Sequence, residues 1–241
     1  MSALRLFLAP SIVKDQQIRL ERENIHYLLN VMKVKNQEDV YIFNDKDGEW
    51  LSKVDIISKN NVFLIPTINI RMPSNLSKII LAFSLLKRQN NSLVVQKATE
   101  LNVREIYPIV TKRSIVRDIN IEKFYLVAKE AAEQCNRLDI PKIHNILSIG
   151  ELITKAENAN LILCDNKQTS EAVLKLEKKL NYQNDSAILI GPEGGFSSQE
   201  VEQLNCLANC YNVSLGELTL RAETAAISAM FAVQAMYDLH K

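Results

Sequence analysis

Gly191, Gly194 and Gly195 fall within five positions in "GPEGGF", around Pro192 and Glu193. The chain has only 6 glycines in 241 residues, so the cluster marks backbone that must turn tightly or lie close to something. A tight loop accounts for one or two of these glycines, not three. A fourth, Gly216, follows in "VSLGELTLRAETA", which also brings Arg221 and Glu223. A phosphate-binding P-loop needs G-x-x-x-x-G-K-[ST], and no lysine follows these glycines. A dinucleotide fingerprint needs G-x-G-x-x-G after the first strand, whereas this loop comes late and lacks that spacing. Glu193 would repel a phosphate. The loop suits a ligand with an uncharged edge or a positive centre, such as an adenosine lying against bare main chain with a cation nearby. S-adenosylmethionine is one molecule of that kind among several.

The surrounding elements place the loop. "SAILI" reads as a strand ending at Ile190, and "SSQE" as a capping box in which Ser197 and Glu200 start a helix. The glycine loop therefore lies at the carboxyl edge of a sheet, where α/β proteins bind ligands. From residue 78 the chain alternates apolar strands ("KIILAFSLL", "REIYPIV", "NLILC", "SAILI", "YNVSL") with helical patterns. The helices are expected in "SLVVQKATELN", "IEKFYLVAKEAAEQCNRL", "SEAVLKLEKKL", "SSQEVEQLNCLA" and "RAETAAISAMFAVQAMYDL". That alternation predicts an α/β layered sheet with right-handed crossovers. Residues 1–72 read instead as short strands with one helical patch, "ENIHYLLNVMKV", and a turn at Asp47-Gly48, the pattern of a small β-barrel. We divide the chain into a β-barrel over 1–72 and an α/β domain over 73–241.

Composition excludes several classes. No apolar run approaches a membrane span, and the N-terminus has no basic start or cleavage site of a signal peptide, so a cytoplasmic protein is expected. Cys135, Cys164, Cys206 and Cys210 form no C-x-x-C pair, and the three histidines are scattered; no metal site is expected. Cys206 and Cys210 are placed on one helix face. Charge is segregated: residues 76–145 carry twelve Lys/Arg against seven Asp/Glu, and residues 146–241 carry seven against twelve. A basic middle segment suits a polyanion, and the acidic remainder argues against general affinity for nucleic acid.

"LIGPEGGFSSQEV" and "VSLGELTLRAETAAISAM" together resemble the two signature stretches of the SPOUT-class RNA methyltransferases. Within that class the chain is most similar to the family that methylates N3 of one uridine in bacterial 16S ribosomal RNA. The similarity runs in order through "LRLFLA", "IHYLLNVMKV", "VVQKATELNVREIYPIVTKRSIV" and "KEAAEQCNRLDIPKI". It implies a PUA-like RNA-binding barrel, a SPOUT α/β domain with a deep trefoil knot, S-adenosylmethionine as donor, the small ribosomal subunit as partner, and a homodimer.

Under that resemblance, methylation at a uridine N3 removes an imide proton and spreads charge over two carbonyl oxygens, which calls for a fixed cation. Arg221 suits that role, since its guanidinium stays charged and presents a planar fork. Glu223 and Glu193 are candidates to hold Arg221, touch the donor or relay the proton. Donor contacts are expected at Leu163, at Ile190, Gly191, Pro192, Gly194 and Gly195, at Leu215, Gly216 and Leu220, and at Thr224. RNA contacts are expected at Arg113, Arg137, Lys33, Lys87 and Arg88, with Glu130, Gln134 and Arg137 sharing one helix face. The chain departs from the family pattern at Asn102, which replaces a glycine, at Glu217 and Leu218, and in "KRQNN". Two alternatives stand beside this reading: a SPOUT enzyme acting on another RNA or on ribose 2′-OH, and a non-catalytic ribosome assembly protein.

Overall fold

The computed structural model describes residues 4–73, 77–87, 90–165 and 170–240. The chain divides into two compact units, residues 1–75 with 132–139, and residues 76–131 with 140–241. The first takes in residues 132–139, which the sequence division assigns to the α/β domain.

Among the described residues the first unit holds five strands: β1 (Arg5–Phe7), β2 (Ile18–Arg19), β3 (Asp39–Asn44), β4 (Gly48–Ser58) and β5 (Asn61–Arg71). Their order is β1-β3-β4-β5-β2. β4 and β5 form a long antiparallel ribbon with three register shifts, which bend it. The helical patch is a short helix α1 (Arg22–His26) continued by a π-helical turn (Tyr27–Val31), and it brings Ile25 and Leu28 into the core with Leu6, Ile42, Val54 and Leu64. Only Gly48 of the Asp47-Gly48 pair takes positive φ, and a side chain there would strike the Arg71 carbonyl.

Arg5 is buried in this unit. Its Nε donates to Glu49 Oε1 at 2.5 Å, and its two terminal nitrogens donate to the carbonyls of Ala132, Glu133 and Arg137 at 2.9, 3.1 and 3.0 Å. Arg71 Nε donates to the other oxygen of Glu49 at 2.7 Å, and its Nη2 to the Asn136 carbonyl. Two arginines thus satisfy the exposed carbonyls at a helix C-terminus, and one carboxylate balances them. Burial alone would raise the Glu49 carboxyl, but its bonds to Arg71 and Arg5 outweigh that and hold it below the ordinary value.

The second unit is an all-parallel sheet: β6 (Ile79–Ser84), β7 (Glu105–Val110), β8 (Lys142–Ile143), β9 (Leu147–Ser148), β10 (Asn160–Cys164), β11 (Glu171–Ala172), β12 (Ser186–Ile190) and β13 (Cys210–Ser214). The order is β11-β13-β10-β12-β6-β7-β8, with β9 also on β7. Apolar residues occupy both faces of its strands, as a doubly covered parallel sheet requires. Ile79, Leu81 and Phe83 face one cluster with α2 (Asn90–Glu100), α3 (Ile121–Gln134) and α6 (Ala222–Leu239). Ile80 and Ala82 face the other with α4 (Ile149–Lys155) and α5 (Ser198–Asn205). Among the described residues no helix is long and apolar enough to cross a membrane.

Three expectations change. "SEAVLKLEKKL" is not an α-helix: Glu171–Ala172 pairs with the free edge of β13, and a 3₁₀ turn (Val173–Lys178) follows. Edge pairing overrides helix propensity there. Cys206 and Cys210 share no helix, because α5 ends at Asn205 and Cys210 opens β13. Helix α4 was not anticipated, although its Ser148/Glu151 capping box is visible in the sequence. Asn102 takes the left-handed conformation, φ 59°, that its place after α2 requires.

Candidate functional site

The glycine loop is held from behind by the helix it introduces. Ser197 N–H donates to Glu200 Oε2 at 2.7 Å, and Glu200 N–H donates to Ser197 Oγ at 3.3 Å, completing the capping box. Glu200 is buried and also accepts the Lys112 N–H at 2.8 Å. Burial would raise its pKa, but these N–H donors hold the carboxyl below its ordinary value.

The three glycines answer to different demands. Gly195 has φ +67°, and its N–H donates to the Pro192 carbonyl at 2.8 Å, closing a tight turn. Gly191 lies against Phe196, so that a Cβ would come within 3.0 Å of the ring. Gly194 has neither constraint; a Cβ there would meet only the Arg113 stem, at 3.5 Å.

Parallel register aligns the ends of three neighbouring strands. Cys164 is level with Ile190 on one side and Val213 on the other. The loops after β10, β12 and β13 therefore converge with the start of α6 on one cavity of about 380 Å³, within the range of small-molecule sites. Of the expected donor contacts, Ile190, Gly191, Pro192, Gly195, Leu215 and Leu220 line it, and so do Glu193 and Arg221. Leu163, Gly194, Gly216, Thr224 and Glu223 do not appear in its wall. Leu163 points to the opposite face, packed with the α4 and α5 cluster, because side chains alternate along a strand. Gly216 sits in an exposed turn at φ +130°, bonded to Ser214 Oγ. Thr224 is exposed and Glu223 half-buried in the first turn of α6.

Cys164, Phe196, Val213, Ala222 and Ala225 are wall residues that the sequence does not single out. The strand ends at Cys164 and Val213 follow only from the register. Burial pushes the Cys164 thiol up to about 12, so it stays protonated and behaves as an apolar wall group.

Arg221 occupies the N-cap position of α6, with φ −67° and ψ 153°, and makes no side-chain cap bond. Its side chain is exposed at the cavity, and neither Glu193 nor Glu223 forms an ion pair with it among the described residues. Bare peptide, apolar side chains, the Glu193 and Asp165 carboxylates and the exposed Arg221 guanidinium make up the wall, a lining that fits a nucleoside carrying a positive centre better than a phosphate-bearing ligand.

The expected RNA contacts separate. Arg113 is exposed and its Nη1 donates to the Gly194 carbonyl at 2.7 Å. Lys33 is exposed at φ 56°, and Lys87 is exposed after β6; Arg88 lies outside the described residues. Arg137 is buried and holds Asp139 at 2.7 and 2.8 Å, which removes it from the phosphate-contact set. It shares no face with Glu130 and Gln134, because α3 stops at Gln134 and Asn136 turns left-handed at φ 62°.

The RNA methyltransferase domain family matches residues 72–234, and the RNA methyltransferase PUA domain family matches 20–67. The ribosomal RNA small subunit methyltransferase E of Rickettsia conorii is 31% identical over 231 residues, covering 95% of this chain and 94% of that protein. The Bacillus subtilis protein of the same name is 28% identical, with 90% and 89% covered. A crystal structure of a ribosomal RNA small subunit methyltransferase E from Neisseria gonorrhoeae bound to S-adenosyl methionine has a TM-score of 0.84 at 25% identity, covering 98% of both chains. A putative methyltransferase from Legionella pneumophila in complex with the cofactor has a TM-score of 0.85 at 28% identity, again with 98% of both chains covered.

Proposed function

From the premise that the chain belongs to the ribosomal RNA small subunit methyltransferase E family, we propose that it methylates N3 of one uridine in 16S ribosomal RNA of the small subunit. It is an S-adenosylmethionine-dependent ribosomal RNA methyltransferase. The observation that carries the finer reading is the cavity at three strand ends with Arg221 on its wall. S-adenosylmethionine, when bound, supplies an electrophilic methyl group.

The residues of this chain supply the rest. Gly191, Pro192 and Gly195 offer backbone to a nucleoside edge, and Leu215 and Leu220 offer apolar contact to its ring. Arg221 faces the charge that develops on the uracil oxygens as N3 loses its proton, and so favours the transition state over the ground state. The target base must leave its stack to reach this wall, so single-stranded or splayed RNA is the substrate form. Lys33 and Lys87 are our candidates for phosphate contacts, and their exposure supports that reading.

The test is methyl transfer to assembled small subunits and to naked ribosomal RNA, with the product mapped to one nucleotide by mass spectrometry. A base-methylated uridine is expected; a ribose-methylated product or none would refute the assignment. S-adenosylhomocysteine should also raise the melting temperature, since ligand at a hundred times Kd adds about 2.7 kcal/mol to the folded state.

A homodimer and the trefoil knot belong to the same proposal. The position of β12 between β10 and β6, with β13 beyond β10, supports the knot. Phe231 on α6 is 64% exposed, and its apolar area supports a partner copy there. Sedimentation of the chain should give the mass of two copies and Phe231→Glu that of one; a monomeric wild-type chain would refute the dimer.

A further inference from the structure

Arg113 touches the glycine loop rather than only solvent. Its own loop, residues 111–114, is fixed from below by buried hydroxyls. Ser84 Oγ and Ser114 Oγ lie 2.7 Å apart, the Thr111 N–H donates to Ser114 Oγ at 2.8 Å, and Thr111 Oγ1 lies 3.0 Å from the same oxygen. Ser84, Thr111 and Ser114 are all buried. The next residue ties the loop sideways: Lys112 N–H donates to buried Glu200, and Lys112 Nζ reaches Gln199 Oε1. From this fixed base Arg113 donates from Nη1 to the Gly194 carbonyl at 2.7 Å, with its stem lying along Gly194.

That carbonyl belongs to the peptide between two glycines. A Gly-Gly peptide plane is poorly determined by its neighbours, because neither residue has a Cβ to restrict it. The plane is rigid, so the direction of the Gly194 oxygen sets the direction of the Gly195 N–H on the opposite side. The Gly195 N–H in turn closes the turn onto Pro192. Glu193 and Gly195, on either side of Gly194, both line the cavity.

We propose that Arg113 is a positioning residue for the methyl donor: by gripping the Gly194 carbonyl it selects one orientation of the Gly194–Gly195 peptide and keeps the cavity rim preformed. This rests on the reading of the cavity as the S-adenosylmethionine site. It assigns Arg113 a task that needs no RNA, which separates it from a phosphate contact.

The experiment is calorimetric titration of S-adenosylhomocysteine into the full-length chain without RNA. Wild type is titrated first; absence of binding there refutes the donor site itself. Given wild-type binding, Arg113→Ala is expected to weaken it by about tenfold, the loss of one charge-assisted hydrogen bond. Its melting temperature without ligand should stay near wild type, because the side chain is exposed. Arg113→Lys, which keeps a charged donor on a similar stem, should recover most of the affinity. Gly194→Ala in the Arg113→Ala background should also recover part of it, because Gly194 is not at positive φ and a Cβ restricts the freed peptide. Unchanged affinity in Arg113→Ala overturns the proposal, as does a loss that Gly194→Ala leaves untouched. If Arg113 were only a phosphate contact, donor affinity would hold while RNA affinity fell with a smaller salt slope, and that pattern also overturns it.

Discussion

Arg221→Ala is expected to cut the rate of methyl transfer by about a hundredfold to a thousandfold while leaving donor affinity within about twofold, the range seen when one charge-stabilising donor is removed. The guanidinium lies at a helix N-terminus, where the dipole disfavours a cation, and it makes no cap bond that would justify its place structurally. Alanine at that position therefore costs the helix little. Single-turnover transfer measures the chemical step, and S-adenosylhomocysteine titration measures binding. A variant with wild-type turnover would show that the oxygens of the target base are stabilised by something other than this side chain. Arg221→Lys should retain part of the rate, since it keeps the charge and loses the planar fork.

The largest expected effect on stability comes from Glu49→Ala. The side chains of Arg5 and Glu49 are 6% and 8% exposed, and Glu49 is the acceptor shared by Arg5 and Arg71. Removing it leaves a buried guanidinium without its counter-charge, a change worth about 3–5 kcal/mol. Denaturant unfolding followed by circular dichroism would measure it, and a loss below about 1 kcal/mol would mean that the helix carbonyls alone satisfy Arg5. The same carboxylate predicts a pH dependence. Its folded pKa lies below the ordinary 4.5, so its contribution is whole above that value and disappears as the pH falls through the lower folded value. Glu49→Ala should flatten the acid limb of the wild-type stability profile.

What could be read in advance was what local chemistry decides. The Ser197/Glu200 capping box and the left-handed turn at Asn102, where the resembled family has glycine, each depend on a few adjacent residues, and each was legible. The start of α6 behind Arg221 was legible for the same reason. Positions set by distant pairing were not. Cys164 enters the cavity wall only because β10 is in register with both β12 and β13. Arg137 looked like an exposed helix residue, yet the helix had already ended and its carbonyl serves Arg5, far away in the chain. Arg113 is expected from the sequence only as an RNA contact; the bond to Gly194, on which the positioning proposal rests, lies across 81 positions.

The placement of β10 bears on how the molecule can be made. Both of its sheet neighbours, β12 and β13, lie later in the chain, so "NLILC" leaves the ribosome with neither flank available. Every residue of that strand except Cys164 is buried at the end, and until then its apolar side chains and unpaired amides are open to other nascent chains. Distant parallel pairings of this kind form slowly and leave adhesive surface uncovered meanwhile. A holdase that shields this stretch through the translation of some fifty further residues, to the end of β13, would raise the yield of active protein, and rapid dilution from denaturant at high concentration would lower it.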